Sequence, residues 1–277
     1  MAGWLVLMML MPVSGRELAR EMDLIQVVFI RSLLGFVMLL PLVLRAGGLR
    51  AMRTSRPGLH LSRNAIHYLA QYGWLVAVTL IPLAQVVALE FTMPIWAAAL
   101  AVTLLGERMN AGRLIAVALG LLGVLIIVRP GLGSISAGQL IALATAVGFA
   151  LSVIIIKSLT RTETALQILF WMVVIQGAIG LMPALLVWRW PSPSAWSWLV
   201  LIAFAGTFSH YCMANALRHA EAMVVVPMDL LRVPLMAVLG WLLYSESFDL
   251  LSAIGAALIL AGNLFNLRAP ARRRPWR

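Results

Sequence analysis

A chain of 277 residues with 62% hydrophobic and only 11% charged side chains has too few charges to cover a soluble globule, where about 25% is usual. Apolar stretches of about 17 to 25 residues recur along it, each long enough to cross a hydrocarbon layer of about 30 Å, and they do not alternate as the strands of an outer-membrane barrel would. The single Cys212 excludes an internal disulfide and a cysteine-rich metal site, and a net charge of +11 bears on nucleic acid only if the basic residues gather on a soluble face.

Taken in chain order, helices are expected at 2–19, 25–44, 64–80, 83–105, 113–129, 138–157, 165–188, 195–217, 222–243 and 249–267. The first lacks a basic leader and is not followed by a small-residue cleavage site, so it reads as a retained span. Gaps such as "RAGGLRAMRTSRPG", "RPGLGSISAG" and "RWPSPSA" are punctuated by Pro and Gly. Between the third and fourth spans only "IPLAQ" intervenes, where Pro82 marks either a tight turn or a kink. The expected fold class is all-α, a polytopic membrane protein of ten transmembrane helices.

Ten spans place both ends on one side. Fifteen Lys and Arg fall on that side and four on the other, so the positive-inside rule puts both termini in the cytoplasm. The charge is thus mostly topological, and the tail at 268–277, "RAPARRRPWR", is expected to touch anionic membrane lipid rather than nucleic acid.

The two halves echo each other. "ERMNAGRLIAVALGLLG" at 107–123 aligns with "ESFDLLSAIGAALILAG" at 246–262, with Glu107 over Glu246 and Gly123 over Gly262. Upstream, Pro94 and Pro234 fall at nearly the same distance before the two glutamates. Five spans per repeat is an odd number, so the second copy lies inverted, a design on which secondary transporters build alternating conformations about a central site.

These phrases, with "VVFIRSLLGF", "IPLAQVVALEFTMPIWAAALAVTLLGERM" and "GLLGVLIIVRPG", resemble the drug/metabolite transporter superfamily, in particular its EamA-domain proteins, over nearly the whole chain. The resemblance implies an inner-membrane permease, mostly an exporter of amino acids or other small metabolites, with EamA-like halves at 1–130 and 138–267. An integral-membrane enzyme acting on a lipid or isoprenoid is the alternative; it would crowd polar residues at one membrane surface, whereas here they are scattered through the depth.

Four charges stand inside spans, where each costs about 2.5 to 3.5 kcal/mol at a helix centre: Arg31, Glu90, Asp229 and Arg232. Arg31 and Glu90 are level at about 9 Å from the outer side, so an ion pair between them is geometrically open. Asp229 and Arg232 are three apart and can pair on one helix face, near the midplane, where a solute site is expected. Either pair can instead be structural. Pro94 is available to bend the fourth span one turn after Glu90, while Glu107, beside Arg108 and Arg113, reads as a helix-end salt bridge.

Among neutral candidates, His67, Gln71 and Trp74 share one stripe of the third span, with Tyr72 nearby; His210 and Asn215 lie in the eighth span about 140° apart. The histidines can titrate near neutral pH or simply pack. Trp188, Trp190, Trp196 and Trp198 fit an outer aromatic belt. Phosphate-loop, zinc-binding and nucleophile-elbow motifs are absent, so no cofactor or metal is expected and any uphill movement would draw on a proton or counter-solute gradient.

Overall fold

The computed structural model describes residues 2–105, 111–129, 135–219 and 229–268. Among these there are eleven α-helices, one 3-10 turn and no strand. The helices are α1 (Ala2–Ala19), α2 (Leu24–Arg45), α3 (Pro57–Leu80), α4 (Leu83–Glu90), α5 (Met93–Leu105), α6 (Ala111–Val128), α7 (Ala137–Leu159), α8 (Ala165–Leu186), α9 (Pro193–His219), α10 (Arg232–Tyr244) and α11 (Leu250–Arg268). The ten expected spans are recognisable, with the fourth divided into α4 and α5. Glu107, Arg108 and most of the basic tail lie outside the described residues, as does the first part of the ninth span.

Local chemistry sets the helix starts. The Asp23 side chain accepts from Ile25 N at the start of α2, and α7 and α8 open with the reciprocal capping boxes Ser136/Gln139 and Thr164/Gln167. Pro57 sits at the first turn of α3, where its missing N–H is harmless. This helix therefore begins seven residues before the expected 64 and carries His60, Arg63 and Asn64 into the bundle, all buried. Ile81 and Pro82 form a tight turn in extended conformation rather than a kink within one helix.

The outer face of the bundle is apolar, and the polar side chains of its spans turn inward into an otherwise apolar core. On α2, Leu33, Val37, Leu40 and Leu44 are exposed while Gln26, Arg31 and Ser32 are buried, the arrangement a lipid surround demands. Three helices, α2, α7 and α8, are each long and apolar enough to cross a membrane by themselves. The longer α3 and α9 interrupt their apolar runs with polar residues that turn inward, Arg63 and Gln71 on the first, Thr207 and Ser209 on the second.

Packing follows an inverted two-fold. Helix α6 lies on α11 and α2 on α8, each a helix against its own repeat mate; α3 on α7 is matched by α9 on α1, and α2 on α9 by α8 on α3. Where α6 crosses α11 the backbones touch. A Cβ on Gly123 would come 2.5 Å from the Gly255 carbonyl oxygen, and one on Gly262 would come 2.8 Å from that of Ala116. An offset of 139 residues carries Gly123 to Gly262 and Ala116 to Gly255, so the two contacts are one contact seen twice.

The loops repeat the symmetry. Gln167 Nε2 donates to the Ala51 carbonyl at 3.0 Å, while Gln26 Nε2 donates to that of Arg189 at the other end of the bundle. Glu163 accepts from Thr54 Oγ1, and Glu21 accepts from Ser192 N at 2.6 Å and Ser192 Oγ at 2.7 Å. The backbone and then the hydroxyl hydrogen bond from Ser192 hold the Glu21 carboxyl below the usual carboxylate range.

Candidate functional site

The break in the fourth span builds the site. Pro94 has no N–H to offer the carbonyl four residues earlier, and its ring would collide there; that carbonyl belongs to Glu90. The helix accordingly ends at Glu90, turns through Phe91 and Thr92, and restarts as α5 at Met93. The bend thus precedes Pro94 rather than following Glu90 by a turn. Freed backbone groups are satisfied locally: Thr92 O accepts from Ile95 N at 2.9 Å and Trp96 N at 3.2 Å, and the buried Asn263 of α11 donates to Phe91 O at 2.9 Å. Irregular backbone at this depth is tolerated only where it is buried in protein or lines a cavity.

Glu90 is thereby presented to Arg232. Its Oε1 accepts from Arg232 Nη1 and Nη2, both at 3.2 Å, and its Oε2 from Trp74 Nε1 at 2.9 Å. Asp229 holds the other side of the guanidinium, with Oδ1 2.8 Å from Arg232 Nε and Oδ2 accepting from Nη2 at 3.3 Å. Trp4 Nε1 donates to Asp229 Oδ1. The Arg232 guanidinium also stacks 4.7 Å from the Phe91 ring centroid and lies 3.7 Å from Met8 Sδ. Arg232 and Asp229 are buried, 5% and 9% exposed, while the Glu90 side chain keeps 19% of its surface exposed, so the base and one acid are enclosed and the second acid stands at the edge of the site.

The Asp229–Arg232 pair that the spacing allowed is therefore present, and the Arg31–Glu90 pair that equal depth left open is not. Arg31 donates through Nη2 to Gln71 Oε1 at 2.8 Å and packs so closely on Gly206 that a Cβ there would lie 2.9 Å from Nη1. Equal depth did not imply a shared face: Glu90 turns toward α10, Arg31 toward α3 and α9.

The stripe of α3 extends further than the spacing of His67, Gln71 and Trp74 suggested. It starts with Arg63, which donates to Ser152 Oγ at 3.0 Å and to Asn64 Oδ1 at 2.6 Å. His67 Nδ1 lies 3.4 Å from the same Ser152 Oγ, and its ring sits 5.3 Å from that of Phe149. Gln71 meets Arg31 and Trp74 meets Glu90, so one helix face joins a buried basic zone to the acidic clamp. Tyr72 faces elsewhere, into a hollow of about 460 Å³ lined with Arg16, Arg20, Asp23 and Thr79. His210 and Asn215 lie in α9, with side chains outside the described ones.

Two further clusters were not singled out from the sequence. Opposite the termini, Arg16 of α1 pairs with Glu246 and donates to the Ile81 carbonyl at 2.8 Å and, through Nε, to that of Val78 at 2.8 Å; Leu83 N donates to Glu246 Oε2 at 2.9 Å. At the other end, the fully buried His60 pairs with Glu163 and stacks 5.9 Å from the ring of Trp171. Among the described residues no group of three or more His, Cys, Asp or Glu is placed to hold a metal ion.

Comparison with known proteins supplies the wider setting. The chain is 32% identical to a riboflavin transporter of Brucella anthropi, covering 87% of each chain. It is 24% identical to an S-adenosylmethionine uptake transporter of Rickettsia prowazekii, over 91% of this chain and 86% of that one. A solved crystal structure shares the fold with a TM-score of 0.66 at 17% identity, covering 95% of this chain and 94% of its own. The model of the EamA-like transporter family matches residues 3–129 and again 136–268, each stretch holding one set of five spans, and the chain belongs to that family.

Proposed function

We propose that this protein is an alternating-access permease for a small metabolite, built of five-helix units at 1–130 and 138–267 and seated in the inner membrane with both termini cytoplasmic. The carrying observation is the Arg232 clamp: a guanidinium between two carboxylates, with one of those acids at the break of a discontinuous span. Broken helices meeting at the interface of inverted repeats are where such carriers bind solute and coupling ion.

With both acids ionised, Glu90, Asp229 and Arg232 sum to one negative charge. That surplus suits a coupling proton or a cationic group on the solute, and a counter-solute could take the same role. Arg31, Gln71, Trp74 and His67 extend the polar surface toward the terminal end, and Tyr72 lines the approach from the other. An outwardly moved amino acid is one form of this reading. The relatives named for riboflavin and for S-adenosylmethionine uptake favour a heterocyclic metabolite moved inward.

The test is flux in vesicles reconstituted with the purified protein, using radiolabelled riboflavin, S-adenosylmethionine and a set of amino acids, with and without a pH gradient. Saturable flux of one solute is expected, and the direction that accumulates it reports the coupling. Folded, correctly inserted protein that moves none of them faster than empty vesicles would overturn the proposal.

A further inference from the structure

Helices α2 and α3 of the first repeat both pack on α8 of the second, and α2 also packs on α9, forming a seam whose first-repeat side carries the Arg31–Gln71 and Arg63–Asn64 contacts. Helix α8 enters it along a strip of close approaches. Val173 lies 3.2 Å from where a Cβ on Gly35 would stand, and a Cβ on Gly180 would stand 3.1 Å from Tyr68 Oη. Gln176 is one turn from each of these positions and is 0% exposed.

Both amide atoms of Gln176 lack a hydrogen-bond partner among the described residues. Tyr68 Oη, Gln71 Nε2 and Ser209 Oγ share that condition. Ser209 is one helical turn beyond Gly206, against which Arg31 packs, and Tyr68 is one turn before Gln71. Buried polar groups are almost always paired, and an orphaned amide is costly. These orphans lie on α3, α8 and α9, helices that pack across the boundary between the repeats, where a carrier's solute would sit.

We infer that Gln176 reads the edge of a planar heterocycle that presents an adjacent donor and acceptor. A carboxamide carries one donor group and one acceptor side by side, so it makes two parallel hydrogen bonds to such an edge, as Gln does to adenine. An imide edge fits equally: Nε2 donates to the ring carbonyl and Oε1 accepts from the ring N–H. Arg31 and Tyr68 then serve a carbonyl, hydroxyl or carboxylate elsewhere on the same solute. This assignment rests on the permease reading and narrows its substrate class.

The test uses the full chain in lipid nanodiscs and two pairs of probes: riboflavin against 3-methylriboflavin, and adenosine against N6,N6-dimethyladenosine. In each pair the second molecule has lost the donor. One parent compound is expected to bind at least tenfold tighter than its blocked partner, and Gln176→Met should reduce that ratio to below twofold. The variant should also melt no lower than the parent protein, since it removes unpaired polar atoms. Equal binding within both pairs, or a ratio that survives in Gln176→Met, overturns the assignment. Vesicles that move other solutes while the nanodisc protein binds neither pair also overturn it but leave the permease standing. Flux of nothing at all removes both.

Discussion

Glu90 and Asp229 occupy equivalent positions in the two repeats, 139 residues apart, and both carboxylates close on the single guanidinium of Arg232. The symmetric pair of acids is thus served by an asymmetric base. Glu90 comes from the first half, Arg232 and Asp229 from the second, so separating the repeats at this level separates Glu90 from Arg232 but not Asp229, which is three residues away on the same segment.

Arg232→Ala should abolish flux. Removing one partner of a buried pair costs about 3–5 kcal/mol in soluble cores, so abundance must be measured beside transport. The expected outcome is protein in the membrane with flux per molecule at background. Arg232→Lys should retain charge but lose the simultaneous grip on two carboxylates, leaving about a tenth of the flux or less. A fall in membrane abundance that matches the fall in flux would make Arg232 a structural residue.

Glu90→Gln tests the surplus charge. Asp229 and Arg232 then neutralise each other, and Gln still accepts from Trp74 Nε1. The variant should insert normally and lose the dependence of flux on an imposed pH gradient. A gradient dependence equal to that of the parent would place the coupling proton on another group.

Much of this was legible in the sequence. The spans are apolar runs bounded by Pro and Gly, and the inverted repeat follows from glycines that the α6–α11 crossing physically requires, Gly123 and Gly262 among them. The Asp229–Arg232 pair was legible because three residues of separation hold the two side chains close along the chain, even though α10 itself begins only at Arg232. The Glu90–Arg232 pair was not, since two residues on different helices can share a depth without facing one another. His60 escaped notice because the charged run "RTSRPGLHLSRN" reads as loop, whereas Pro57 starts a helix whose polar side is buried. Gln176, a lone polar residue in "WMVVIQGAIG", carried its signal in the two flanking helix approaches that no single sequence displays.

The break after Glu90 gives a third prediction. Pro94→Ala restores an N–H that can pair with the Glu90 carbonyl, allowing α4 and α5 to join and swinging Glu90 off Arg232. Stability should be unchanged or higher while flux falls at least tenfold. Asn263→Leu, by contrast, strips the buried Phe91 carbonyl of its donor and should lower stability by about 1–3 kcal/mol, read as a drop in thermal midpoint. If Pro94→Ala transported normally, the break would be a packing accommodation without a role in transport.

The end opposite the termini is tied by Arg16 and Glu246, and the tie spans three segments. Arg16 belongs to α1, Glu246 follows α10, and the carbonyls of Val78 and Ile81 with the N–H of Leu83 belong to the turn between α3 and α4. These groups are mostly sheltered, 13% and 15% exposed for the two charged side chains, so the ion pair is worth more than a surface one. Because it joins first-repeat segments to the end of α10, it must break if the halves part at this face. Glu246→Gln retains an acceptor for Leu83 N and weakens only the charge pairing. It should therefore favour the state open at this face, raising the labelling rate of a cysteine placed at the buried Ala77 severalfold in a Cys212→Ser background, with little change in thermal midpoint. Arg16→Gln combined with Glu246→Gln should add little to either single change, the signature of a shared interaction. Unchanged labelling in all three variants would show that the tie anchors the helices in one arrangement and does not govern access.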